Sequence, residues 1–166
     1  MASIRKEFSI AAGAESVWRA LRAVGEVHRF APGFVTDCRM DGDEARIITF
    51  ANGFVTRELI VDVDDKARRL AYSARSERLQ HHHATFQVVD DGQGRCTVHW
   101  TADVLPHAAA AMVGAMMEQG AAAMRKTAIR FIKGEYRELI RCGQFDQHRV
   151  RAVRNRPLAD GDKILR

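Results

Sequence analysis

The 166-residue chain predicts an α+β fold: one curved antiparallel sheet of seven strands, a long C-terminal helix across its open side, and two short helices after the first strand. Three observations carry this. Between residues 34 and 104, strand-length segments alternate apolar and polar positions, with turn signals about every ten residues, the rhythm of a meander. No segment between these strands is long enough for a crossover helix, which argues against parallel neighbours. After Pro106, about 33 residues from Ala108 to Ile140 run without another proline, and their apolar positions recur at the helical period.

The elements follow in order. Ile4 to Ile10 opens the sheet; Ile4, Phe8 and Ile10 alternate, while Lys6 and Glu7 interrupt the pattern. Ala12 to Glu15 turns the chain. Glu15 to Val24 puts Val17, Trp18, Leu21 and Val24 on one helical stripe, and Gly25 stops it as a glycine after a helix does. Glu26 to Phe30 adds a further helical turn before the Pro32-Gly33 break. Strands are expected at Phe34–Met40, Ala45–Phe50, Phe54–Val63, Arg69–Arg75, His81–Val89 and Cys96–Val104. Asp41-Gly42-Asp43 and Asn52-Gly53 carry hairpin chemistry. Within Phe54–Val63, the residues Val55, Arg57, Leu59, Val61 and Val63 share a face. Its apolar majority makes that face the inner one and turns Arg57 inward; a slip of one residue at the hairpin turns Glu58 inward instead. The last strand alternates most cleanly, with Cys96, Val98, Trp100, Ala102 and Val104 opposite Thr97, His99, Thr101 and Asp103.

In the long helix, Val113, Met116, Met117, Gly120, Met124, Thr127, Ala128 and Phe131 fall on one side. Glu118, Arg125, Lys126, Arg130 and Lys133 fall opposite, the pattern of a helix laid on a core. Its first turns are mostly Ala and Gly, which lets the backbone approach the sheet or leaves room for a ligand. Met112, Met116, Met117 and Met124 offer a pliable lining. A straight helix of this length spans ~50 Å, more than the ~40 Å breadth of a compact domain of this size, so a bend near Gly134 or a projecting end is expected. Ile129, Ile132, Tyr136 and Ile140 make a second apolar stripe off the core side, expected to be covered by the tail or by a second copy in a homodimer. The expected organisation is one domain, residues 1–142, and a basic tail, residues 143–166.

Charge points the same way. The net charge is +5, but residues 141–166 hold seven Lys/Arg against three Asp, and residues 1–140 hold 19 basic against 18 acidic groups. The basic character therefore belongs to the tail, which has only Phe145 for base stacking, so nucleic acid is not an expected partner. There is no apolar run of ~18 residues and hence no expected membrane span, and the first residues lack the apolar core of a signal peptide. Cys38, Cys96 and Cys142 are far apart and form no CxxC pair, which reads as free thiols in a reducing cytoplasm.

Several local patterns sit in this frame: Ser16-Val-Trp-Arg-Ala-Leu21, Val24-Gly-Glu-Val-His-Arg-Phe-Ala-Pro-Gly33, Thr49-Phe-Ala-Asn-Gly53, Arg68-Arg-Leu-Ala-Tyr72, His81-His82, Trp100 and Met116-Met-Glu-Gln-Gly120. With the order of elements, they resemble the START/Bet v 1-like superfamily, also labelled SRPBCC or polyketide cyclase/dehydrase-like, over about residues 3–132. The resemblance implies a helix-grip fold with a deep cavity between the concave sheet face and the long helix. It implies binding of an apolar or amphipathic small molecule there. The alternative is a cyclase/dehydratase-type enzyme acting on a polyketide-like or aromatic substrate by acid/base catalysis in the same cavity. It brings no shared catalytic residue, and neither a cofactor nor a metal is expected.

Ten residues are candidates for the cavity lining: His28, Phe50, Arg57, Tyr72, His82, Phe86, Trp100, Met116, Met117 and Gly120. His28 follows the first helix, where the fold puts the rim, and would need a partner to act as an acid or base. Arg57, if inward, requires a carboxylate or an anionic ligand. Tyr72 and Trp100 can line an apolar pocket while each offers one polar atom. His82 shares a face with Phe86, whereas His81 and His83 point the other way, so the His81–His83 run does not converge on a metal. The chain has no GxSxG or HExxH. Gly92-Gln-Gly94 is not a dinucleotide loop, and Asp62-Val-Asp-Asp65 lacks the glycine and glutamate of a calcium loop.

Overall fold

The computed structural model describes residues 1–132, with side chains through Ala128. The chain runs β1 (Ala2–Ile10), α1 (Ala14–Arg22), a 3-10 turn (Val24–Glu26), α2 (Val27–Phe30), β2 (Val35–Asp41), β3 (Ala45–Phe50), β4 (Val55–Asp64), β5 (Arg69–Arg75), β6 (His81–Asp90), β7 (Cys96–Leu105), a second 3-10 turn (His107–Ala109) and α3 (Ala110–Ile132). The seven strands form one sheet in the order β1-β7-β6-β5-β4-β3-β2, and every neighbouring pair is antiparallel.

Side-chain alternation turns this ribbon into a container. Cys96, Val98, Trp100, Ala102 and Val104 of β7 are all buried on the concave face, as are His82, Ala84, Phe86 and Val88 of β6. The helix α3 closes that face, packing chiefly on β1 and more lightly on β7. Val113, Met117, Gly120, Ala121, Met124, Thr127 and Ala128 turn inward, while Glu118, Arg125 and Lys126 are exposed. Lys6, which breaks the apolar pattern of β1, lies on the face turned to the helix and sends its ammonium 2.8 Å from the Glu118 carboxylate. The stripe that begins at Ile129, the bend near Gly134, Cys142 and the basic tail lie outside the described side chains.

Gly120 marks the closest approach of helix to sheet. A Cβ there would stand 2.9 Å from Trp100 Cζ3 and 3.0 Å from Phe34 Cε1. A mid-helix glycine costs about 1 kcal/mol relative to alanine, and overpacking costs about 1–3 kcal/mol. The contact with two rigid rings therefore accounts for glycine at this position.

The helices α1 and α2 close one end. Val17, Trp18, Leu21 and Val24 are buried as the stripe requires. Asp65, in the β4–β5 turn, anchors them: it accepts the Trp18 indole N–H at 2.9 Å and pairs with Arg22 at 2.7 Å.

The structure overturns one orientation. Arg57 faces outward and pairs with Asp41 at 2.6 Å, while Glu58 faces inward and is only 5% exposed. The apolar residues that suggested the reverse do not line the core: Val55 and Val61 are 54% and 56% exposed. Val63 does pack on the core. It reaches that face because the β4–β5 register shifts between Ile60 and Asp62, and the extra residue inverts the parity. The inner face of β4 thus reads Thr56, Glu58, Ile60 and then Val63.

Candidate functional site

Between the concave sheet face and α3 lies a cavity of about 200 Å³, against the ~10–15 Å³ that one water needs. Most of its wall is apolar. Phe86 and Trp100 stack with ring centroids 4.4 Å apart, and Tyr72 stacks on Phe86 at 6.0 Å. Phe34 and Phe50 meet edge to face at 5.1 Å. The helix contributes Met112, Val113, Met116, Met117 and Met124. Asn52, Arg78 and Met112 combine wall position with exposure and form the rim.

One side of the wall is polar. Arg46 of β3 stands opposite Glu58 of β4, and the two form a buried ion pair, with Nε at 2.8 Å and Nη2 at 2.7 Å from Oε2. Arg46 Nη1 also donates to the Val24 carbonyl at 2.9 Å, and its guanidinium lies 5.3 Å from the centre of the Tyr72 ring. These contacts compensate a guanidinium that is 3% exposed. Both residues face the cavity.

Tyr72 and His82 complete the polar side, with ring centroids 5.8 Å apart. Tyr72 Oη accepts the Trp100 indole N–H at 3.1 Å. Burial, with the Glu58 carboxylate adding to it, pushes the phenol well above its usual range, so it remains a hydrogen-bond donor.

His82 replaces a missing rung of the sheet. The β5–β6 ladder ends at Tyr72 and Ala84. Beyond it the Ala74 amide donates to His82 Nδ1 at 3.2 Å, and the Ser73 hydroxyl donates to the His82 carbonyl at 2.7 Å. Because Nδ1 accepts, the neutral ring carries its proton on Nε2. Burial lowers the His82 pKa, partly opposed by the Glu58 carboxylate. A depressed folded-state value means that the unfolded chain takes up this proton first as pH falls. Stability from this site is therefore complete above pH ~6.5, the unfolded value, and declines as pH drops from there through the folded value. Urea titrations between pH 7.5 and 5 are expected to show this decline, and H82Q is expected to lose the component; an identical slope in both proteins would remove His82 as its source.

Of the ten residues singled out from the sequence, seven reach the cavity wall: Phe50, Tyr72, His82, Phe86, Trp100, Met116 and Met117. Gly120 is instead a packing point under Trp100. Arg57 is on the outer face. His28 is half-buried on α2 with Nε2 4.0 Å from Glu26, whereas its helix presents Val27 to the cavity. Arg46 and Glu58 were missed as a pair. A two-residue turn at Asn52-Gly53 would set Arg46 against Leu59; the turn spans Ala51, Asn52 and Gly53, closed by the Phe50 amide donating to the Phe54 carbonyl, and that one-residue difference is what sets Arg46 opposite Glu58.

Other chemistries find no support in this geometry. Among the described residues no group of three or more His, Cys, Asp or Glu is placed to hold a metal ion. Cys38 and Cys96 are buried free thiols. Burial raises both pKa values, that of Cys96 to about 11, so neither is an activated nucleophile. No described helix is long and apolar enough to cross a membrane.

Comparison with known proteins agrees with this arrangement. Residues 1–130 match the family model described as polyketide cyclase/dehydrase and lipid transport. No curated protein matches the chain. Among solved structures, a protein from Thermobifida fusca is 26% identical, with 78% of this chain and 95% of that one covered at a TM-score of 0.65. A START superfamily protein from Mycobacterium smegmatis is 14% identical, with coverage of 78% and 98% and a TM-score of 0.65. A norcoclaurine synthase point mutant from Thalictrum flavum, in complex with a transition-state analogue, is 18% identical, with coverage of 78% and 95% and a TM-score of 0.62.

Proposed function

Because this chain belongs to the polyketide cyclase/dehydrase and lipid transport family, we propose that it binds an apolar or amphipathic small molecule between its sheet and α3. One observation carries the reading: a cavity of about 200 Å³ whose wall is mostly aromatic, aliphatic and Met side chains. An apolar body gains by leaving water in such a site, and the polar side formed by Arg46, Glu58, Tyr72 and His82 orients it. The Met residues of α3 adapt to its outline. The buried free thiols Cys38 and Cys96 support a reducing, cytoplasmic setting for this activity.

The test uses N-phenyl-1-naphthylamine, an uncharged amphipathic fluorophore. Saturable one-site fluorescence enhancement is expected at micromolar concentrations, together with a rise in unfolding temperature that grows with fluorophore concentration. Native mass spectrometry of protein purified without added ligand is expected to show a retained small molecule. No enhancement, no shift and no retained molecule together would sink the proposal.

A second reading is an enzyme of the cyclase/dehydratase type, favoured by one observation. Tyr72 and His82 meet on a single wall, 5.8 Å apart between ring centroids, with Glu58 facing the same cavity. A phenol donor, a neutral imidazole and a carboxylate can polarise a carbonyl and move protons. Turnover separates the two readings. Product from a linear poly-β-ketone in molar excess over protein supports the enzyme, and stoichiometric capture without conversion supports the binding module.

A further inference from the structure

We infer that the outer face of the sheet carries a second site, separate from the cavity under α3, that takes the dianion of a small organic phosphate. The site is an open groove formed by the start of β4, the end of β5 and the turn after it. The phosphate oxygens meet the guanidiniums of Arg75 and Arg78, and the organic body lies on the apolar wall beside them. The inference does not depend on the binding reading above.

Charge carries it first. The groove measures about 410 Å³, within the ~300–1,000 Å³ of small-molecule sites. Three arginines line it, Arg57, Arg75 and Arg78, against one carboxylate, Glu77. Arg57 is already committed to Asp41 at 2.6 Å. Among the described residues Arg75, Arg78 and Glu77 make no ion pair. Two exposed guanidiniums are therefore open to an incoming anion.

Strand register adds a cost that stability alone does not explain. Arg57 stands directly opposite Arg75, and like charges facing each other across a strand pair are destabilising. Arg39 of β2 extends the row, opposite Ile47, which in turn stands opposite Arg57. A carboxylate at position 75 would have paired with Arg57; the arginine keeps this face positive. An anion relieves that repulsion. Two uncommitted guanidiniums match the two charges and the several acceptor oxygens of a phosphate monoester, whereas a carboxylate brings one charge.

The rest of the lining fits an organic phosphate. Ser76 lies between Arg75 and Arg78 in the chain, and its Oγ is buried with no hydrogen-bond partner among the described residues. A buried hydroxyl calls for a partner, and a phosphate oxygen supplies an acceptor on that wall. The Leu79 amide donates to the Ser76 carbonyl at 3.1 Å, closing the turn that carries Arg78. The other wall is apolar, formed by Ile47, Phe54 and Val55, and Val55 is 54% exposed. A ring or chain attached to the phosphate covers that wall and gains by leaving water; bare phosphate leaves it open.

Arg78 and Phe54 also line the cavity, so Arg75, which belongs to the groove alone, is the residue to change. The test is an NMR titration of the 15N-labelled full chain with phenyl phosphate, benzoate and inorganic phosphate at pH 7. Phenyl phosphate is largely dianionic there, because a phosphate monoester loses its second proton near pH ~6. Saturable shifts are expected at the amides of Arg57, Arg75, Ser76 and Glu77, with the indole N–H of Trp100, which reports on the cavity, unmoved. Phenyl phosphate is expected to bind at least ~5-fold more tightly than either benzoate or inorganic phosphate. Arg75→Gln removes one of two facing like charges, so the fold is expected to persist while phenyl phosphate binds about 5-fold more weakly. Shifts centred on the Trp100 indole overturn the inference. So do benzoate or inorganic phosphate binding as tightly as phenyl phosphate, an Arg75→Gln protein that binds undiminished, or no saturable response at all. The cavity reading is decided separately, by the fluorophore.

Discussion

Arg46→Met is expected to lower the unfolding midpoint by roughly 6–20 °C, the equivalent of about 3–5 kcal/mol in a chain of this size. The reason is the partner left behind. Glu58 is 5% exposed, and its charged partner is Arg46, which donates from Nε to Oε2 and brings Nη2 within 2.7 Å of the same oxygen. Without the guanidinium the carboxylate must either remain charged in an apolar wall or take up a proton, and the Val24 carbonyl loses its donor as well. Arg46→Met combined with Glu58→Leu is expected to recover most of the loss, because the apolar pair removes both desolvation costs at once. Thermal and urea unfolding of the two single variants and the double variant form the cycle that measures the coupling. A single variant as stable as the natural chain would show that the pair does not hold β3 against β4. A double variant no better than the singles would show that the loss comes from packing rather than from a stranded charge.

The second large effect concerns the cavity. Ala102 of β7 is buried on its wall, opposite Ile4 of β1 and Ala84 of β6. Ala102→Leu extends a branched side chain into open space, unlike an insertion into a filled core, which forces off-rotamer packing. The fold is expected to survive with its unfolding midpoint close to that of the natural chain. Affinity for N-phenyl-1-naphthylamine is expected to fall by at least ~100-fold, or ~2.8 kcal/mol. Full binding by a folded Ala102→Leu protein would place the fluorophore elsewhere on the molecule. The pairing of intact stability with lost binding separates a ligand cavity from a packing defect.

Much of the architecture was legible from short-range pattern. The three segments Ala45–Phe50, Arg69–Arg75 and the start of His81–Asp90 stand where alternation and turn chemistry place them. Asn52-Gly53 sits at the β3–β4 turn, with Gly53 at φ +82° where a left-handed residue is needed. The stripe Val17, Trp18, Leu21 is buried as written. On the cavity wall, Tyr72, His82, Phe86 and Trp100 were legible because they lie on strands whose alternation continues without interruption through the inward position. Arg57 was misread because β4 does not alternate in that way. Its apolar residues lie on both faces, and the shift at Ile60/Asp62 exchanges them partway along.

By itself the sequence determined the order of strands and helices, the turns between them, the inward faces of β6 and β7, and the apolar side of α3. Each of these depends on periodicity and turn chemistry within about ten residues, which a linear reading captures. The tertiary structure decided the polar side of the cavity. Arg46 and Glu58 are tolerable inside only because strand register sets them opposite each other, and His82 is held by an amide that the end of the β5–β6 ladder leaves free. Those outcomes depend on which buried charge meets which partner across strands. Desolvation makes that decision, and it is large only once the sheet has closed around the groups.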